Sequence, residues 1–145
     1  DLGGWTVEIR PEHKALYHAS GFLTCGLITG ILGQATALWN VMDSDDQEGF
    51  KVLLPLLAST VKNLETQGVS KSMTGPISSG DTGTIRKHIE ALETYAPNVL
   101  PLYCESAIAT ARICWNTLDI DSDKQQEIID LLESHTNGPK SIIGN

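Results

Sequence analysis

Apolar and polar positions divide the chain into one short alternating stretch followed by a succession of helical ones. Trp5, Val7 and Ile9 alternate with Thr6, Glu8 and Arg10, the period of a short strand half-buried on one face. Pro11 suits the first turn of a helix, and Glu12 lies near the positive end of its dipole. The helical period continues to Met42. Leu16, Leu23, Leu27, Ile31, Leu38 and Met42 mark one face, and Phe22, Ile28, Leu32 and Trp39 a second. Two apolar faces predict two packing partners, hence a long central helix covered by protein on most sides. Gly26, Gly30 and Gly33 each cost about 1 kcal/mol relative to alanine, a cost that close helix-to-helix contact would offset.

Ser44 with Gln47 reads as a capping box, and Asp45, Asp46 and Glu48 load the first turn of a second helix with negative charge. Its buried side is predicted to carry Phe50, Leu53, Leu54, Leu57, Val61 and Leu64, with a bend or break at Pro55 and an end at Gly68. Residues 68–80 are rich in Gly, Ser and Pro and form the one long internal loop. Asp81 is placed to cap a third helix carrying Ile85, Ile89 and Leu92, which ends before Pro97. A fourth helix, roughly 98–118, has Pro101 in its first turn and Leu102, Ile108 and Ile113 inside, with Ala107, Ala109 and Ala111 allowing close approach. Ser122 with Gln125 caps a fifth, whose apolar side is Ile128, Ile129, Leu131 and Leu132. The expected fold is all-α: a bundle of about five helices around one long central helix, preceded by a lone strand that pairs with nothing else. The division is a strand and linker over 1–10, a helical domain over 11–136 and a tail over 137–145.

With 41% apolar and 19% charged residues, 145 residues suffice for one soluble domain with its own core. Eighteen acidic against 10 basic residues give a net charge of −8, which disfavours nucleic acid as a partner. Cys25, Cys104 and Cys114 form no CxxC pair and are odd in number, so neither a disulfide framework nor a zinc site is indicated. A cytoplasmic location is the expectation. Residues 19–42 contain no charged side chain and imitate a membrane span by length. Ser20, Thr24, Thr29, Gln34, Thr36 and Asn40 are scattered around every face, however, which favours a helix buried by protein over one in lipid. No secretory signal opens the chain, and Asp1-Leu2-Gly3-Gly4 reads as a cut.

Lys14 and His18 are one helical turn apart on the opening turns of the long helix, with Tyr17 adjacent. A lysine stabilises a developing oxyanion and a histidine shuttles protons, so the pair suits reduction of a carbonyl or imine. The same two residues also read as solvated groups at the start of an amphipathic helix. The second constellation runs from Thr74 through Gly75, Pro76, Ser78 and Ser79 to Asp81, where hydroxyls and free N–H groups meet a helix N-terminus. Its plainer reading is a turn that caps a helix. His88 reads as packing or surface, His13 and His135 carry no partner pattern, and Cys25 reads as a small core residue. No metal-ligand spacing and no GxGxxG, P-loop or GxSxG pattern appears, so the chain lacks a nucleotide site of its own.

Taken in order, Leu2-Gly3-Gly4, the run from Lys14 to Ala19, Leu53-Leu54-Pro55-Leu56, Thr74-Gly75-Pro76 through Gly80-Asp81, and Arg86-Lys87-His88 resemble one family. It is the C-terminal domain of unknown function that follows a Rossmann-like NAD(P)-binding domain, in the superfamily similar to the 6-phosphogluconate dehydrogenase C-terminal domain. The resemblance implies that residues 5–9 are the last strand of a preceding Rossmann domain, and that the helical domain forms a homodimer through its long helices. It implies an NAD(P)-dependent oxidoreductase with a small-molecule substrate in a cleft between the two domains, NAD(P) being held mainly by the preceding domain and the present chain alone being inactive. Lys14 and His18 would be catalytic, and Tyr17, Thr74, Gly75, Pro76, Ser78 and Asp81 would bind substrate. Two positions depart from the pattern. Gly26 stands where a polar Asn is expected, and Ser79 where an arginine precedes Gly-Asp. They leave open an alternative, a non-enzymatic dimerisation or ligand-sensing module with a degenerate site.

Overall fold

The computed structural model describes residues 6–136. The described residues are all-helical: one long composite helix, four further helices of more than ten residues and one short helical turn. Two compact units divide at Leu53 and Leu54.

The first unit is built around the helix Pro11–Met42. It opens with a 3-10 turn at Pro11–His13, where the fixed proline φ suits a helix start. Regular α-helix follows as α1 (Lys14–Phe22) and α2 (Ile28–Ala37), joined by a π-helical turn at Leu23–Leu27. A 3-10 turn, Leu38–Met42, closes it, and Asp43 reverses the chain with a left-handed φ of 56°. Thr6 to Arg10 form no strand. Val7 is 72% exposed, because a strand requires a neighbour to pair its backbone and none lies alongside among the described residues. Trp5, the Leu2-Gly3-Gly4 turn and the expected tail fall outside the described residues.

The long helix is not covered as its pattern predicts. Leu16 is 70% exposed, Leu23 60% and Ile31 45%, and Thr36 is its one buried residue. Among the described residues of the first unit, these glycines do not mediate helix contacts either. A methyl group added at Gly21, Gly30 or Gly33 would meet nothing within 4 Å, and at Gly26 it would strike the ring of Phe22 from the same helix. Cys25 is exposed and not a core residue.

Helix α3 (Asp46–Lys71) begins at Asp45, not at Ser44. The Asp45 carboxylate accepts the Glu48 N–H (2.7 Å), while the Ser44 hydroxyl donates to the Glu48 carboxylate. A carboxylate complements the helix dipole better than a hydroxyl, so the acid takes the cap. Pro55 sits inside α3 without ending it; the break is at Gly68, whose φ of 73° lies outside the helical range. Phe50, Leu54, Val61 and Leu64 are exposed, against the expectation of a buried side.

The second unit holds the core. Its elements are α4 (Pro76–Ser79), α5 (Thr82–Tyr95), α6 (Leu100–Cys114) and α7 (Ser122–Glu133). Ile77, Ile85, Ile89, Leu100, Cys104, Ile108, Ala111, Cys114, Ile128 and Leu132 close on one another, and six of these side chains are essentially inaccessible. The i, i+4 spacings of Ile85 with Ile89 and of Ile128 with Leu132 put each pair on one helix face, the face turned inward. Ala107 and Ala111, one turn apart, let α6 pack closely, whereas Leu102 and Ile113 face outward. Pro101 stands in the first turn of α6, where its missing N–H costs nothing. Asp121, one residue before the expected Ser122, caps α7 by accepting from Asp123 and Lys124 N–H.

Candidate functional site

In the first unit, Lys14 and Tyr17 lie one turn apart on α1 and share a recess of about 730 Å³ with Thr6, Val7 and Ile9. Both side chains are exposed, as is His18 on the next turn, but His18 is not among the residues lining that recess. Among the described residues no carboxylate lies within 4.0 Å of the Lys14 ammonium. His13, just upstream, accepts a hydrogen bond at Nε2 from the Arg10 guanidinium (3.2 Å), and Arg10 also pairs with Glu12 at 3.4 Å.

In the second unit the expected long loop over 68–80 is largely helical: past the break at Gly68 α3 runs on to Lys71, and α4 takes up Pro76–Ser79, because Gly68 and Gly75 turn the backbone and Pro76 starts a new helical turn. Ser72 is buried and its hydroxyl donates to Gly68 O (2.7 Å). Gly75 has φ 91° and Gly80 φ 66°, so two left-handed residues bracket the single turn of α4. Ser78 Oγ donates to Gly75 O (2.9 Å), and the Ser79 hydroxyl turns back on Gly75 O and Pro76 O. Asp81 accepts from Thr84 N–H (3.0 Å) and from the Thr84 hydroxyl (2.7 Å), fulfilling the expected cap of α5. These two bonds hold the Asp81 carboxyl below the usual carboxylate range. Thr74 and Gly75 are exposed, while Pro76 and Ser78 are half-buried. Ser78 and Asp81 thus spend hydrogen bonds on shaping the turn itself.

The fold adds partners to this turn from far along the chain. A recess of about 530 Å³ is lined by Ser79, Gly80, Asp81 and Thr82 together with Lys124 and Glu127 of α7. A Cβ at Gly80 would lie 3.3 Å from Lys124 Cδ, so the lysine stem rests on the glycine. Glu127 also meets Arg86 of α5 at 3.7 Å. Thr82 Oγ1 is buried without a hydrogen-bond partner. Neither α7 residue stood out in the sequence, because nothing local ties position 124 to position 80.

Two histidines acquire partners that the sequence did not reveal. His88 Nδ1 lies 3.0 Å from Tyr103 Oη, with the rings edge-on at 5.9 Å, which joins α5 to α6. Burial raises the Tyr103 phenol above its ordinary range, so it keeps its proton. His135 reaches Glu93 at 3.2 Å and Leu131 O at 2.8 Å. Among the described residues no group of three or more His, Cys, Asp or Glu is arranged to hold a metal ion.

Residues 1–110 match the family described as Domain of unknown function (DUF2520). The chain belongs to this family. The match covers both sets of expected site residues and ends within α6, before Arg112, Trp115 and the whole of α7. No curated protein and no solved structure matches the chain.

Proposed function

We propose that this DUF2520 chain is the substrate-cleft and dimerisation domain of an NAD(P)-dependent oxidoreductase of carbonyl or hydroxy-acid type. The observation that supports this reading most is the uncommitted state of Lys14, which shares an exposed recess with Tyr17 and has no counter-ion among the described residues. An ammonium in that state can donate to a carbonyl oxygen and stabilise the charge that develops there. His18 would give up a proton to the resulting alkoxide, and Tyr17 would bind substrate. Thr74, Gly75, Pro76, Ser78 and Asp81 are assigned to substrate contact in the second unit.

A dinucleotide cradle needs a strand feeding a glycine-rich turn at a helix N-terminus. NAD(P) would accordingly be held by a preceding Rossmann-like domain, as the family resemblance implies. The exposed apolar surface of Pro11–Met42, most apolar where it is only 6% buried, would be covered by a second copy. A cytoplasmic location accords with this.

Two observations favour the second reading, a non-enzymatic dimerisation or ligand-sensing module. At Gly26 a side chain would begin 2.5 Å from the Phe22 ring, so the polar group that the family resemblance implies has no room there without moving Phe22. Ser79, where an arginine is implied, spends its hydroxyl on backbone carbonyls. A titration with NADPH, on a protein carrying this chain behind its nucleotide-binding domain, separates the two. Saturable binding is expected, and its absence overturns the oxidoreductase reading. Sedimentation at two concentrations tests the dimer. A strict monomer contradicts it, and partition into vesicles instead of self-association would assign the apolar helix to a membrane.

A further inference from the structure

We propose that the groove between α6 and α7 is a binding site for a small carboxylate with a flat apolar body, anchored by Arg112. The groove has a volume of about 480 Å³ and is lined by Ala111, Arg112, Trp115 and Asn116 of the α6 end and by Ser122, Gln125, Gln126 and Ile129 of α7. That volume lies in the range of small-molecule sites, which pair an apolar wall with a few fixed polar groups.

Three of the lining side chains are already tied down. Trp115 Nε1 donates to Ile77 O (2.8 Å), Asn116 Nδ2 to Arg112 O (3.0 Å) and Gln125 Nε2 to Ile120 O (2.7 Å). These bonds use the one indole N–H and one N–H of each amide and set the positions of the three side chains, so a ligand would not have to order them. Asp130 is likewise engaged, by Gln126 Nε2 at 2.7 Å.

Arg112 differs from all of these. Among the described residues its guanidinium makes no side-chain hydrogen bond and no ion pair within 4.0 Å, in a chain with eight more acidic than basic groups. Its place in the last turn of α6 complements the helix dipole by charge alone and leaves the five N–H donors free. A guanidinium fork matches a carboxylate bidentately, and the Ser122 hydroxyl and the second N–H of the Asn116 and Gln125 amides add donors in the same groove, so the group it selects is an acceptor-rich anion. Ala111, Ile129 and the tethered indole of Trp115 supply the apolar wall for the body of such a ligand. Every lining residue lies past residue 110, beyond the family match, so the proposal stands apart from the oxidoreductase reading.

The test is a ¹⁵N NMR titration of the whole chain with benzoate, followed at the Arg112 Nε–H, the Asn116 and Gln125 side-chain amides and the Trp115 indole. Saturable shifts confined to these groups are expected. Benzyl alcohol, which keeps the ring and lacks the carboxylate, should bind about tenfold more weakly or worse, as loss of a charge-assisted pair implies. Arg112→Gln should weaken benzoate by a similar factor, with an unmoved Ile89 methyl resonance reporting an intact core. Equal binding of benzyl alcohol and benzoate, undiminished binding by R112Q, or shifts that never saturate would each overturn the proposal. The comparison of the two probes needs no variant and decides even if R112Q fails to fold.

Discussion

The indole N–H of Trp115 donates to the carbonyl of Ile77 at 2.8 Å, joining two residues 38 positions apart. That bond fastens the single turn of α4 to the end of α6, and Ile77 is itself buried in the core. The segment between α3 and α5 therefore has a fixed floor despite its glycines and serines. Trp115→Phe keeps most of the ring but leaves the Ile77 carbonyl without its donor. A loss of about 1–3 kcal/mol is expected, measured by urea unfolding, and an unchanged midpoint would show that the bond contributes nothing.

The two units should respond oppositely to core truncation. Ile128→Ala empties a fully buried site and should cost about 2–5 kcal/mol. Ile31→Ala, at a position 45% exposed, should leave the unfolding of a dilute sample almost unchanged while weakening self-association in sedimentation. Equal losses of stability from both would contradict the division into a covered core and an uncovered helix.

Much of this was legible in the chain. The 3.6-residue period located all the long helices, and Asp81, Pro11, Pro101 and Gly68 marked ends that the structure keeps. The caps of α3 and α7 shifted by one residue because an aspartate stands next to each expected serine, and the two compete for the same N–H groups. The strand failed because alternation reports which face a segment could bury, not whether a partner strand exists. The apolar faces of the long helix were read correctly as faces, but no described residue of the first unit covers them. Lys124 over Gly80, His88 with Tyr103, and Trp115 with Ile77 are products of tertiary packing and leave no local signal.

Gly49 is buried beneath Trp39, and a Cβ there would lie 2.6 Å from the indole and 3.1 Å from the Trp39 Cβ. Gly49→Ala should therefore destabilise, by roughly 1–3 kcal/mol as for an overpacked contact, despite alanine's better helix propensity. Gly30→Ala meets nothing within 4 Å and should stabilise by about 0.5–1 kcal/mol, unless a second copy packs there. Thermal unfolding of both variants checks the pair.

Cysteine chemistry should separate cleanly. Cys25 is exposed, whereas Cys104 and Cys114 have no accessible surface. Burial, with Glu105 and Glu93 adding negative potential, pushes the Cys104 thiol up to about 11 from an ordinary 9.0. Its neutral form is the one the fold accepts, so its contribution to stability is full below pH 9.0 and is lost as pH rises towards 11. Iodoacetamide on the native chain should label Cys25 alone, and rapid labelling of Cys104 at neutral pH would contradict the packing of α6.

At the other end of the scale, the Thr84 N–H and hydroxyl hold the Asp81 carboxyl below its ordinary 3.8. The cap is fully present above pH 3.8 and is lost as pH falls through the lower native value. The Thr84 amide resonance should move only below pH 3.8, and a midpoint at or above that value would show that the cap does not hold the carboxylate.

The proposed oxidoreductase role rests on Lys14, and NADPH-dependent turnover of a carbonyl substrate tests it most directly, in a protein that carries this chain behind the proposed Rossmann-like domain. Lys14→Ala should lower kcat about 10²–10³-fold, the typical cost of removing one oxyanion donor, with the unfolding midpoint unmoved because the side chain is exposed. Turnover that is unchanged by Lys14→Ala would contradict the claim.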